Sequence, residues 1–282
     1  MAGTLFIVGT PIGNLKDAST RLRETLGRVD VIACEDTRRT GKLLKALEIS
    51  SPARLVSYLE ANERKRLPGL VEDLRAGRDV ALVSDGGMPV FSDPGYRLVR
   101  ACIEAGVEVD VIPGPTAAVA ALVVSGLPPD RFVFEGFLPK KEAARRTRLE
   151  QLGREPRTVV LFESPNRLGD LLREAAEVLG PTRPAAVVRE LTKLHQEVRR
   201  GPLKELAEQT PDPVKGEVTV VIGGAEPDQP DLGTLAERVN ALVGEGVSRK
   251  EAAARVAEES GASKRALYDA SLQTGGSPGP LS

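Results

Sequence analysis

Tryptophan is absent from this chain of 282 residues, and the other aromatics are scarce: six Phe and three Tyr, 3% of all positions. Recognition of a nucleic acid, if any, is therefore expected to rest on backbone charge and shape more than on base stacking. Only two cysteines occur, Cys34 and Cys102, each inside an apolar run. That excludes a disulfide framework or a cysteine zinc site and points to buried free thiols. An excess of one charge is also lacking, since 39 Lys plus Arg face 40 Asp plus Glu. No global field then draws the chain to nucleic acid or membrane, and an RNA-contacting surface has to be a local patch. No apolar stretch approaches the roughly 20 residues of a membrane span, and the N-terminus lacks the basic flank of a signal peptide. A soluble, cytoplasmic protein is expected. The single histidine, His195, lies in the polar stretch "TKLHQEVRRG" with no triad signature, and is expected to face solvent. No spaced His, Cys or acid cluster implies a metal.

What the chain has is alternation. Short β-branched runs, "TLFIVG" (4–9), "VDVIAC" (29–34), "RLVSYL" (54–59), "DVALVS" (79–84) and "EVDVIP" (108–113), alternate with amphipathic segments such as "GLVEDLRAG" (69–77) and "GYRLVRACIEAG" (95–106). Each of those segments closes on an Ala-Gly pair suited to a helix C-terminus. Strands joined by helices predict right-handed crossovers and a mostly parallel, doubly covered sheet over residues 1–115. A second cycle over 116–224 offers strands at 131–137, 158–164, 185–190 and 217–223, with helices at 140–155, 166–180 and 202–210. Pro115 is expected in the first turn of a helix, and Ser164 with Pro165 reads as an N-cap and its following proline. The fold class is α/β, with two domains of similar size. A Pro-rich, acidic linker (225–234) leads to three short helices (235–272), with Ser248 and Glu251 as a capping box and Gly261 at a tight turn. The pattern suits a helix-turn-helix or any small three-helix unit equally. Residues 273–282 read as a disordered tail.

In an open parallel sheet the ligand sits beyond the carboxyl ends of the strands. Here those ends are polar and glycine-rich: "GTPIGN", "CEDTRRTGK", "SDGGMPVFSDPGY" and "PGPTA". The first loop fits neither G-x-G-x-x-G nor G-x-x-x-x-G-K-[ST]. Its Pro11 also removes an N–H that a phosphate would want, so a ligand without phosphates is expected. In the third loop Asp85 can accept hydrogen bonds while Gly86 and Gly87 let a ligand lie against the backbone.

Those loops, with "GFLP", "ESPNR", "RELTK" and "GEVTVVI", resemble in order the motifs of the ribosomal RNA small subunit methyltransferases I, within the tetrapyrrole methylase superfamily. The resemblance covers residues 4 to about 224 and the helical unit. It implies two α/β domains of the tetrapyrrole methylase type with S-adenosylmethionine in the cleft between them, and a homodimer. It also implies methyl transfer to the ribose 2′-hydroxyl of a cytidine in the decoding region of 16S rRNA, free or in the 30S subunit. By motif match, Pro11, Asp85, Gly86, Gly87, Met88, Pro89, Thr116 and Ala117 would line the cofactor cleft, with Leu138 and Glu217 from the second domain. Met88 replaces the threonine of the relatives' "SDAGTP", and Leu59 and Asn166 stand where relatives often carry histidine.

A ribose hydroxyl is a very weak acid, so a nearby carboxylate would help its attack. Glu35 and Asp36, beside Arg38, are the catalytic candidates, with capping of the next helix and a local ion pair as the equally weighted structural role. Arg38, Arg39, Lys193, Arg199 and Arg200 are the candidate RNA contacts, whereas Arg145 and Arg146 read as a solvated helix face. Two other functions stay open: a tetrapyrrole or modified amino-acid methyltransferase of the same fold, and a non-catalytic ribosome- or RNA-binding protein.

Overall fold

The computed structural model of the chain describes residues 2–210, 214–225 and 231–274. They fall into two compact units, Met1–Ala225 and Glu226–Ser282.

The first unit begins with five strands: β1 (Thr4–Val8), β2 (Val31–Cys34), β3 (Arg54–Ser57), β4 (Val80–Val83) and β5 (Glu108–Ile112), ordered β3-β2-β4-β1-β5. Every neighbouring pair is parallel. The three central strands are apolar on both faces because helices cover both. Leu5 and Ile7 face Leu70 and Leu74 of α3 (Glu63–Arg75) and Leu98 and Cys102 of α4 (Tyr96–Glu104). Phe6 and Val8 face Leu22 and Leu26 of α1 (Thr20–Arg28) and Leu44 of α2 (Thr37–Ala46). Both cysteines are buried and free. The expected Ala-Gly endings hold: Ala76 and Ala105 cap α3 and α4, and Gly77 and Gly106 follow at φ 87° and 66°.

The second sheet comprises β6 (Phe132–Phe137), β7 (Thr158–Glu163), β8 (Pro184–Arg189), β9 (Glu197–Pro202) and β10 (Val218–Ile222), ordered β6-β7-β10-β8-β9. Only β6 and β7 are parallel; the other pairings are antiparallel. One face carries α5 (Ala117–Ser125), whose Ala118, Ala121 and Leu122 pack on Val160, Ala186 and Val221. The other carries α6 (Glu142–Leu152), α7 (Leu168–Leu179) and α8 (Leu203–Gln209). Thr116 caps α5 by accepting the Val119 N–H, so Pro115 lies one residue ahead of the cap rather than in the first turn. Ser164 precedes a single 3-10 turn with Pro165 at its first position, but its side chain makes no capping bond.

Strand β9 has no counterpart in the sequence reading. Its "EVRRGP" lacks an apolar face because it is a sheet edge, where Arg189 and Arg199 both pair with Glu197. Arg145 also departs from expectation. It is buried, held by Glu174 of α7 through two hydrogen bonds, one of 2.8 Å from Nε. Arg146 is exposed as expected and pairs with Glu177.

The second unit is three helices: α9 (Leu232–Gly244), α10 (Arg249–Ser260) and α11 (Lys264–Thr274). Asp231 caps α9 through the Thr234 N–H, so the helix starts inside the stretch read as linker. Ser248 caps α10, while the Glu251 carboxylate turns to Arg255 instead of closing the box. Gly261 ends α10 at φ 71°. Leu235, Val239, Ala252, Val256 and Leu267 form the core. Residues 226–230 of the expected linker and 275–282 of the expected tail lie outside the described residues.

Candidate functional site

The loops at the carboxyl ends of β1, β4 and β5 are fastened to one another by backbone. Thr10 and Gly87 exchange two backbone hydrogen bonds of 2.9 and 3.0 Å, with Gly87 at φ 94°. Gly9 donates to Ile112 O, and a Cβ on Gly9 would sit 2.7 Å from the Gly114 backbone. The Ser84 hydroxyl donates to Gly87 O. The Met88 sulfur covers Gly9, so the residue that replaces a threonine in the motif fills this corner with a thioether. The first loop also meets the second half of the unit: Gly13 lies against Thr192 and Lys193, and Asn14 N donates to the Thr192 hydroxyl.

These loops form one side of a cavity of about 600 Å³; the ends of β6 and β7, the start of β10 and the loop after β8 form the other. Pro11, Asp85, Gly86, Gly87, Met88, Thr116, Ala117 and Glu217 all line it, as do Glu35, Arg39 and Lys193. The structure thus gathers residues spread over more than two hundred positions into one wall.

Other candidates fall elsewhere. Pro89 is buried and does not line the cavity. Leu138 lies in the core beneath α6 and α7, and Phe137 takes the place at the cavity. The reason is a bulge in β6: the register with β7 shifts between Phe134 and Gly136, so Phe137 lands opposite Phe162 and Leu138 turns inward. Asp36 and Arg38 do not line the cavity. Asp36 caps α2 through the Arg38 and Arg39 N–H groups and pairs with the Arg38 side chain. Arg199 pairs with Glu197, and Arg200 donates to the carbonyls of Val124 and Ser125. Both are engaged within the protein, away from the cavity. Leu59 and Asn166 are exposed and do not line it either.

Three carboxylates share the floor: Glu35, Asp85 and Asp93. Arg39 Nη1 lies 2.6 Å from Asp85 Oδ2, and Glu35 Oε1 accepts the Asp85 N–H at 3.1 Å. Burial pushes the Glu35 carboxyl above its ordinary range, the Asp85 amide opposing it. Asp93 is pushed up to about 6, by burial first and then by the charge of Glu35. Asp36 goes the other way, to about 2, because the Arg38 side chain and amide donate to it. A carboxylate held that far down is a poor proton acceptor. Asp93 is half-buried in the loop after β4, and that burial sets it apart from an ordinary turn aspartate. Opposite this floor Lys193 Nζ bridges Glu190 Oε1 and Glu217 Oε2 at 2.8 and 2.9 Å, and those bonds outweigh the desolvation that would lower its pKa. Among the described residues no group of three or more His, Cys, Asp or Glu could hold a metal ion.

A parallel sheet whose glycine-laced loops meet three carboxylates in one cavity at the strand ends is the arrangement of a small-molecule-binding α/β protein. The family model of the Tetrapyrrole (Corrin/Porphyrin) Methylases matches residues 4–207. The Ribosomal RNA small subunit methyltransferase I of Mycobacterium tuberculosis is 50% identical, over 97% of this chain and 96% of its own. That of Thermotoga maritima is 49% identical and matches over its whole length, across 79% of this chain. The crystal structure of uroporphyrin-III C-methyl transferase from Thermus thermophilus complexed with S-adenyl homocysteine has the same fold, with a TM-score of 0.56 at 22% identity over 78% of this chain and 97% of its own. The chain belongs to the tetrapyrrole methylase family, among the ribosomal RNA small subunit methyltransferases I.

Proposed function

We propose that the chain is an S-adenosylmethionine-dependent methyltransferase of 16S rRNA, acting on the ribose 2′-hydroxyl of a cytidine in the decoding region. The observation that carries this reading is the cavity, whose acidic floor and Pro11-bearing first loop suit a sulfonium cation and not a phosphate. The name and 50% identity of the mycobacterial relative support the RNA substrate, and the Thermus thermophilus enzyme's complex supports the cofactor class. The fit is steric as well as electrostatic: Gly86 and Gly87 line the cavity without side chains and open the β4 loop toward it.

In this reading Asp85, Gly86, Gly87, Thr116 and Ala117 hold the cofactor, with Arg39 fixing Asp85 and Glu35 fixing the Asp85 backbone. The bound cofactor supplies an activated methyl group. The protein's task is in-line placement of the ribose oxygen and removal of its proton as the new O–C bond forms. Asp93 is the proton acceptor, since a carboxylate near pKa 6 is more basic than an exposed one and still ionised at pH 7. Arg39 and Lys193 line the cavity with their charge met by Asp85 and by Glu190 and Glu217, so a phosphate contact there exchanges one of those partners for the RNA backbone. A homodimer acting on the 30S subunit in the cytoplasm completes the proposal.

The test uses labelled S-adenosylmethionine with 30S subunits or naked 16S rRNA from a strain lacking the modification. Label mapped to a cytidine ribose is the expected result, and absence of label from ribose overturns the reading. Transfer to a tetrapyrrole under the same conditions would put the chain with its structural relatives instead.

A further inference from the structure

The first turn of α3 reads "ERKR", and its charges part company. Glu63 turns inward and is buried. Its Oε1 accepts the Tyr58 hydroxyl at 3.0 Å and the Gly95 N–H at 3.3 Å, and its Oε2 lies 3.3 Å from Arg97 Nε. Arg64, Lys65 and Arg66 turn outward and are exposed, and among the described residues none of their side chains has a hydrogen bond or an ion pair. Glu60, exposed just ahead of them, pairs with none. By contrast Arg38, Arg39, Lys193 and Arg199 all meet carboxylates of the protein. Cations in the first turn oppose the helix dipole, and Asn62 at the N-cap makes no capping bond to offset them. A local rule broken with no gain in packing marks a surface kept for contact with something else.

The position of this cluster identifies its partner. Strands β2 and β3 are parallel with Cys34 opposite Ser57, and Tyr58 N donates to Cys34 O, so the chain turns toward α3 at the edge where Glu35 lines the cavity. A groove runs between α3 and α4, with Leu67 and Val71 on one wall and Ala101 on the other. The helical repeat puts Arg64 on the row of Leu67 and Val71, and Arg97 on the row of Ala101. Next to Arg97, the Tyr96 ring is 62% exposed. It follows Asp93 of the cavity by three residues, at most about 11 Å of chain. Cations beside an exposed ring suit single-stranded nucleic acid, the cations taking phosphates and the ring a base face. An acidic protein surface would meet the charges and leave the ring without a role.

We infer that Arg64, Lys65, Arg66 and Tyr96 form a shelf for the single-stranded RNA flanking the nucleotide that is methylated. The three cations contact phosphates, and Tyr96 stacks on one flanking base. Glu63 ties the shelf to the end of the β4 loop through Gly95, so a grip on the flanking strand also sets where the ribose enters the cavity. This inference rests on the reading of the chain as an rRNA methyltransferase.

The test is fluorescence anisotropy of the full chain with a labelled single-stranded RNA of decoding-region sequence, over a range of salt. Arg64→Gln, Lys65→Gln and Arg66→Gln together should weaken binding by about tenfold or more and lower the slope of log K against log salt by about two. Tyr96→Ala should weaken binding about tenfold with the slope unchanged. Neither variant should change S-adenosylhomocysteine affinity or lower the melting temperature, since the lost charges oppose the α3 dipole and the lost ring is exposed. No binding of the RNA to wild type, an unchanged slope in the triple variant, full affinity in Tyr96→Ala, or lost S-adenosylhomocysteine affinity in either would overturn the inference. So would full RNA affinity in the triple variant with weakened association to 30S subunits, which gives the shelf to a ribosomal protein. Ribose labelling of 30S subunits is scored separately. No label with the slope change intact removes the proposed reaction alone, and label with an unchanged slope removes the shelf alone.

Discussion

Gly9 and Gly114 touch backbone to backbone, the last residue before the first loop against the "PGP" turn that leads into α5. A Cβ on Gly9 would stand 2.7 Å from Gly114 N and Cα and 2.5 Å from the Met88 sulfur. The thioether can swing away, but the backbone cannot. Gly9→Ala is expected to destabilise the protein by about 1–3 kcal/mol and to weaken cofactor binding with it, since the Thr10–Gly87 bonds lie one residue on. Thermal denaturation beside calorimetric titration of S-adenosylmethionine checks both; an unchanged melt would mean that the loops are less tightly fastened than they stand here.

Asp85 and Arg39 make a different kind of pair. Arg39 is 63% exposed, so the 2.6 Å ion pair adds at most about 1 kcal/mol to stability. Its value lies in aiming a carboxylate at the cavity. Asp85→Ala should abolish S-adenosylmethionine binding while moving the melting temperature by no more than a few degrees, and Arg39→Ala should weaken binding without abolishing it. Full affinity in Asp85→Ala would remove the β4 loop from the cofactor site.

The β1, β4 and β5 side of the site was legible in the sequence because it is made of backbone. Glycines at positions such as 87 and 114 are demanded by φ or by close approach, and such residues stand out in a linear reading. The side-chain half was less so. Leu138 and Phe137 exchange roles through one inserted residue in β6, and period-two alternation cannot reveal a bulge in advance. Strand β9 was missed because an edge strand carries its ion pairs outward and shows no apolar rhythm. Arg199 and Arg200 read as candidate RNA contacts for the same reason: Arg199 meets Glu197 only because both lie on one face of β9, and Arg200 meets the α5 carbonyls only through the packing of the sheet on α5.

Arg145 and Glu174 bind each other with side chains only 6% and 14% exposed. Removing one partner of a buried pair strands the other, at a cost of about 3–5 kcal/mol. Arg145→Met alone should therefore lower stability by that order in urea denaturation. Pairing it with Glu174→Leu should restore most of the loss, because the hydrophobic pair carries no uncompensated charge. A double variant as unstable as the single one would show that the pair also organises the α6–α7 packing.

Asp93 links stability and activity to pH through one carboxyl. Burial raises it to about 6 in the folded protein, against about 3.9 for an unfolded aspartate. The folded state therefore binds this proton more tightly than the unfolded chain does. Its contribution to stability is complete below about pH 4 and is lost as pH rises to about 6. Activity runs the opposite way, since only the ionised form accepts the ribose proton, and kcat/KM should climb through an apparent pKa near 6. Asp93→Asn should remove the decline in melting temperature between pH 4 and 6 that this group causes. It should also lower kcat/KM at pH 8 by a factor of about 10². Glu35 is close enough to Asp93 to raise it, so Glu35→Gln should shift the kinetic pKa downward while leaving a rising limb in place. A profile unchanged in Asp93→Asn would transfer the proton-accepting role to another group on the cavity floor, with Glu35 first in line.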